Sequence, residues 1–161
     1  MAADSIEQEI LIGAPAEVVW RVITEPDQIS RWFSDEAEVD ARPGATGTLT
    51  WKPGGRGGSK EVEMIAPIRV VEAEPYRRFS FRWGHPQEAS PDEDNSALVE
   101  FSLTQEAHGT RLRVIESGID AVTHDDNGKT RYFESHEQGW ERHLCELLDY
   151  VASDPPGEAR R

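Results

Sequence analysis

Cys145 is the only cysteine in the 161-residue sequence. No disulfide can form within the chain, which suits a reducing compartment. Long apolar runs are missing too, and nothing approaches the roughly 20 residues of a membrane span. The opening stretch, MAADSIEQEILIGAPAE, lacks the basic segment and apolar run of a secretory signal. Positive charge is scarce: 17 Lys and Arg stand against 31 Asp and Glu, a formal net charge of −14. A phosphate backbone is repelled by such a surface unless a basic patch offsets it, and the only adjacent basic pairs are Arg77–Arg78 and Arg160–Arg161. These shortages exclude nucleic-acid binding and membrane insertion, and lead us to expect an acidic, soluble, cytoplasmic protein.

The hydrophobic fraction of 37% is low for a globular chain. Even so, the length suffices for one domain, expected over 5–153, that buries roughly two-thirds of its unfolded surface. The tail 154–161 is expected to be disordered.

Apolar residues at Ile6, Ile10 and Ile12 alternate with polar ones and predict a first strand. Pro15 suits the first turn of a helix, and Val18, Val19, Val22 and Ile23 form its apolar stripe, with Trp20 beside it. Pro26 ends that helix by disfavouring the helical conformation at Glu25. A second short helix is expected from Asp27 to Trp32, on which Trp32 and Phe33 diverge by roughly 100°. Trp32 is then expected at a cavity mouth, with Phe33 as the anchor.

From about residue 35 the period becomes two. Leu49 and Trp51 share a face, as do Val62 and Met64, while Pro67 is expected to interrupt its strand with a bulge or bend. Phe79, Phe81 and Trp83 alternate with Arg78, Ser80 and Arg82. After a polar, Pro-rich loop, GHPQEASPDEDNS, the alternation resumes at Ala97, Val99, Phe101 and Leu103, and again at Leu112, Val114 and Glu116. A final helix is read from Phe133, its apolar face carrying residues 133, 140, 144, 147, 148 and 151, with His136 on the same side.

This order of elements predicts an α+β fold: an antiparallel sheet with one apolar face, covered by the one helix long enough to cross it. A curved sheet around a single helix can enclose a cavity. The aromatics divide accordingly. Trp20, Phe79 and Trp140 are explained as core, whereas Trp51, Phe81, Trp83, Phe101 and Phe133 suit either a filled core or a cavity wall.

Catalytic and metal signatures are sparse. GGRGGSK lacks the residue order of a phosphate-binding loop and reads as a hairpin connection. HDDNG, around His124, lacks the remaining ligands of a calcium loop. His136 and His143 are two helical turns apart, about 10 Å along the axis, too far to share one metal directly. Cys145 reads as a buried structural residue. No cofactor and no metal site is expected.

Two polar residues point inward. Glu116 continues the Leu112–Val114 face, where a carboxylate must be hydrogen-bonded, paired, wetted through a pocket or shifted in pKa; the alternative is a place at the sheet rim in solvent. His136 suits either a satisfied core position or an acid–base role. If the two meet, they can orient a polar ligand or act as an acid–base pair.

Five segments together resemble a known family: APAEVVWRVITEPDQISRWF after the first strand, RPGATGTLTW, VVEAEPYRRFSFRW, GTRLRVIESGI and GWERHLCELLDYV. From about Ile6 to Val151 the chain is similar to the START-like (SRPBCC, birch-pollen-allergen-like) helix-grip superfamily. Within it, the chain most resembles the group related to the activator of the heat-shock-protein-90 ATPase. The resemblance implies a helix-grip fold: about seven antiparallel strands around a long C-terminal helix, with two short helices after the first strand. It also implies a pocket for a small, largely apolar molecule.

The expected occupant is a lipid, sterol or aromatic polyketide, bound without catalysis. The expected ligand-binding residues are Trp32, Trp51, Met64, Phe81, Trp83, Phe101, Val114, Glu116, Phe133, His136 and Trp140. A polyketide cyclase or aromatase-like enzyme is the alternative, and a co-chaperone-like interaction module a further one. A protein partner or a homodimer is compatible with each.

Overall fold

The computed structural model describes residues 5–55, 63–83, 96–119, 122–123 and 125–153. The expected loop over 84–95, most of GGRGGSK, Val62, His124 and the tail 154–161 lie outside them. Among the described residues, strands β1 (Ser5–Ile12), β2 (Glu36–Glu38), β3 (Thr46–Trp51), β4 (Met64–Glu74), β5 (Arg78–Trp83), β6 (Ala97–Glu106) and β7 (Gly109–Ser117) form one sheet in the order β1-β7-β6-β5-β4-β3-β2. Every neighbouring pair is antiparallel. Helices α1 (Ala16–Thr24) and α2 (Pro26–Ile29) carry the chain from the β1 edge to the β2 edge, and α3 (Asp126–Ser153) follows the last strand. This is the helix-grip arrangement.

The period-two segments bury the predicted faces: Phe79, Phe81 and Trp83 on β5, Ala97, Val99, Phe101 and Leu103 on β6, and Leu112, Val114 and Glu116 on β7. On α1 the stripe Val18, Val19, Val22 and Ile23 is buried. Trp20 is not core as expected: it is half-buried, its ring set edge-on against Tyr76 at 6.5 Å and Phe79 at 6.1 Å. Glu25 is extended at φ −84°, ψ 130°, the conformation that a following proline favours, and the first helix stops there.

Three further expectations fail for local reasons. Pro67 does not break β4, which runs straight through it. The proline faces Thr48 of β3 and precedes the first described pair on the other side, Ile68 opposite Trp83, so one flank of the ladder there has no described partner. The irregularity comes later, between Val70 and Glu72, where the Ser80 hydroxyl accepts a hydrogen bond from the Glu72 N–H at 3.1 Å.

The second short helix ends at Ile29 rather than at Trp32, and residues 30–33 form turns. Trp32 and Phe33 therefore do not diverge: both are buried, and their rings stack at 5.1 Å and 27°.

Finally, α3 starts at Asp126, seven positions before Phe133. Asp125 caps it, its Oδ1 accepting the Gly128 N–H at 2.6 Å. The 28 residues make a rod about 42 Å long. Its buried side carries Trp140, His143, Leu144, Leu147 and Val151, while Cys145 is exposed, correcting its reading as a buried residue. One position beyond Leu144, its side chain turns about 100° away from the core.

Gly109, at the β6–β7 turn, has φ +150°, and a Cβ there would lie 2.1 Å from the Ile12 carbonyl oxygen. Gly13, close by, has open space around it. Gly109→Ala is expected to lower unfolding stability by about 1–3 kcal/mol in urea titration, whereas Gly13→Ala is expected to change it far less.

Candidate functional site

Glu116 lies near the end of β7 with no exposed surface, so its carboxylate must be satisfied by the protein. Four donors supply it. Trp83 Nε1, from β5, donates to Oε2 at 2.8 Å, and the Tyr132 hydroxyl donates to the same oxygen at 2.5 Å. Trp140 Nε1 donates to Oε1 at 2.9 Å, and His136 Nδ1 lies 3.0 Å from Oε1. Three of these donors, at 132, 136 and 140, recur every four residues and so line one face of α3. An ionised carboxylate only accepts, so the His136 proton sits on Nδ1 and the ring's other nitrogen is directed away from Glu116.

The electrostatics follow from this shell. Burial alone raises the Glu116 carboxyl pKa. The hydrogen bond and charge interaction with His136, together with the bonds from Tyr132 and Trp140, outweigh it and hold the group below its ordinary 4.5. Burial, then the charge of Glu116 and the bond donated to it, push the Tyr132 hydroxyl far above its ordinary 10.0. A carboxylate offers about four acceptor directions, and Glu116 has four donors, so its capacity is used within the protein. The group left with an open side is His136, whose side chain is 29% exposed. The Tyr132 ring stacks on it at 3.8 Å and 13°.

The other predicted site residues divide into three places. Trp51, Trp83 and Trp140 join Trp32 around Phe33, at 5.1–5.9 Å between ring centres. Phe81 and Phe101 line, with Trp32, Phe33 and Leu49, an internal void of about 10 Å³. That is close to the minimum for one water molecule, so at this spot the described side chains leave no ligand-sized space. Val114 is buried in the same core, and Phe133 packs half-buried against it. Met64 does not face inward under cover: it shares the parity of Ala66 and Ile68 but lies at the strand end, 46% exposed.

Tyr132 is the residue that sequence reasoning missed. Its signal is the Tyr-x3-His-x3-Trp spacing, one residue upstream of where the apolar stripe was taken to begin. His143, considered only as a metal ligand, is buried with Nδ1 at 3.3 Å from the Trp32 carbonyl oxygen.

Replacing the Glu116 carboxylate by an amide turns a donor NH2 group toward side chains that are themselves donors. Glu116→Gln is expected to cost about 3–5 kcal/mol in chemical denaturation. Because the folded pKa is depressed, Glu116 contributes stability above the unfolded pKa and loses it as pH falls through the folded value. Stability of the native protein is therefore expected to fall on acidification below about 4.5, with a shallower fall in Glu116→Gln.

Comparison with known proteins matches this fold and sequence to a family. Among solved structures, a protein of the dynemicin biosynthetic locus superposes with a TM-score of 0.74 at 22% identity, over 96% of this chain. This chain spans only 49% of that protein's length. A Mesorhizobium loti protein superposes with a TM-score of 0.72 at 21% identity, covering 92% of this chain and 96% of its own. A Bacillus halodurans protein does so with a TM-score of 0.67 at 23% identity, covering 92% and 97%. No functionally curated protein matches the sequence. The family model of the activator of Hsp90 ATPase homolog 1-like proteins matches residues 13–152, and the chain belongs to that family.

Proposed function

We propose that the protein binds a small, largely apolar molecule, of the lipid, sterol or aromatic polyketide class, between the concave face of the sheet and α3. One observation carries this reading: a buried carboxylate whose acceptor directions are used to orient other side chains, one of which, His136, opens to solvent. A polar group fixed in this way beside an aromatic-lined concave face is the composition of a small-molecule site. Around Phe33, Phe81 and Phe101 the described side chains leave room for little more than one water, so a ligand entering there moves them apart. Of the residues expected to bind ligand, His136 is the one whose partial exposure supports a direct contact in this reading. Glu116 acts through the side chains it holds.

The Glu116–His136 contact favours one alternative, a cyclase-like enzyme. A carboxylate that holds an imidazole through Nδ1, its other ring nitrogen having no hydrogen bond among the described residues, is the arrangement of a general base. The solved relative from a biosynthetic locus agrees with such a role without establishing it. The co-chaperone reading has less in its favour. The large exposed apolar side chains Leu11, Met64, Ile65, Val71 and Tyr76 are distributed over β1, both halves of β4 and the turn after it.

Thermal-shift and native mass-spectrometric screens with fatty acids, sterols and aromatic polyketides test the binding reading. A true ligand at a hundredfold excess over Kd is expected to stabilise the fold by about 2.7 kcal/mol. His136→Gln, which keeps a side-chain donor for Glu116, is expected to weaken that binding several-fold, read as a Kd by titration separately from any change in the unliganded Tm. Failure of all three classes to shift the Tm or to survive in the native spectrum would reject it. Consumption of a polyketide chain, abolished in His136→Ala, would establish the enzymatic alternative instead.

A further inference from the structure

Phe33 is surrounded by aromatic rings arranged as a box. Trp32, Trp83 and Trp140 lie nearly parallel to it, at 27°, 27° and 14°, with centres 5.1, 5.9 and 5.2 Å away. Trp51 and His143 stand perpendicular, at 89° and 85°, with centres 5.3 and 5.1 Å away. Parallel neighbours and perpendicular neighbours together select a flat ring, because they match the offset-stacked and edge-to-face geometries that aromatic pairs prefer.

In an ordinary core cluster the rings hold one another. Here each wall has a polar tether of its own. Trp83 and Trp140 donate to Glu116 at 2.8 and 2.9 Å, and Trp32 donates to the Val22 carbonyl at 2.9 Å. His143 Nδ1 lies 3.3 Å from the Trp32 carbonyl oxygen. Trp51 donates to the Phe33 carbonyl at 2.8 Å, a bond to the backbone and not to the ring. None of these bonds uses the Phe33 side chain, so the walls stay in place if that ring leaves. The ring itself comes from the turns after α2, and it borders the internal void, which gives it slack on one side.

We propose that this box is a binding subsite for a planar aromatic ring of the ligand, occupied by Phe33 in the ligand-free protein. The inference rests on the ligand-binding reading above and names the part of the ligand that the interior selects. Phe33 then acts as an internal competitor, and a ligand ring enters by displacing it.

Four of the protein's five tryptophans form the box, so intrinsic fluorescence reports its occupancy. Phenol and cyclohexanol, of similar size but flat and puckered respectively, are the probes. Phe33→Ala is expected to bind phenol at least about tenfold more tightly than the native protein, and about tenfold more tightly than it binds cyclohexanol.

Phe79→Ala controls for cavity formation alone, since Phe79 is equally buried and stacks on Phe101 at 6.5 Å and 7°. It is expected to show no preference for the flat probe. Should Phe33→Ala fail to fold, Phe33→Leu keeps apolar bulk while removing the flat ring and is expected to show the same preference in weaker form. Equal affinity for the two probes, or no gain over the native protein, in the variant that folds makes Phe33 plain core and overturns the proposal. Native protein that binds a ligand in the screen, with no gain on removing Phe33, leaves the binding reading standing and sinks only the subsite. The gain without any native ligand does the reverse.

Discussion

A carboxylate removed from water must be given back the hydrogen bonds it loses, or it destabilises whatever surrounds it. In this protein that requirement falls on Glu116, and it is met by one side chain from the sheet, Trp83, and three from α3, Tyr132, His136 and Trp140. The consequence is mechanical. At Glu116 helix and sheet are joined by bonds that tolerate little sliding, because a shift of one residue along α3 would replace those donors with neighbours on another face. Gln8 of β1, donating to the Glu137 carbonyl, adds a second, exposed link. Apolar packing between Leu144, Leu147, Val151 and the strands is less particular about register. The polar cluster therefore sets how the long helix lies, and the aromatic box around Phe33 inherits its geometry from that setting, since two of its walls are Glu116 donors.

Much of this was legible in the sequence. Strand parity placed Glu116 on the inward face, the helical stripe placed His136 and Trp140 on the side facing it, and Pro26 marked the end of α1. These are short-range signals, and local sterics enforce them. What was not legible depends on distant partners. The first turns of α3 are polar and carry no apolar stripe, so the four-residue spacing of Tyr132, His136 and Trp140 gains its meaning only with Glu116 beneath it. Trp32 and Phe33 were expected to part because a helix would part them; instead the turns after Ile29 bring both rings to the same aromatic cluster. The close packing around Phe81 and Phe101 was equally hidden, because a row of inward aromatics is compatible with a wall or with a plug.

The acidic surface and the aromatic interior solve different problems. Glu7–Arg113, Glu106–Arg111 and Glu72–Arg78 pair on the outer side of the sheet, where solvent limits what each contributes. The formal net charge of −14 makes copies of the molecule repel one another at long range. None of it reaches Glu116, which lies inside and owes its depressed pKa to named neighbours.

The sheet order has a temporal side. β1 precedes the other strands in the chain, yet among the described residues it pairs only with β7, so Ser5 waits for Ser117. Strands β2 to β7 pair in sequence, each with the one before, as the chain lengthens. The helical crossover carries the chain from β1 to β2. Pairing β1 with β7 closes the loop from Ser5 to Ser117, the longest loop closed by any strand pair of the described sheet and so the one with the largest closure penalty. During synthesis the N-terminal strand is thus an unpaired apolar edge for most of the chain's length, and its capture by β7, immediately before α3 is made, completes the sheet that the helix covers.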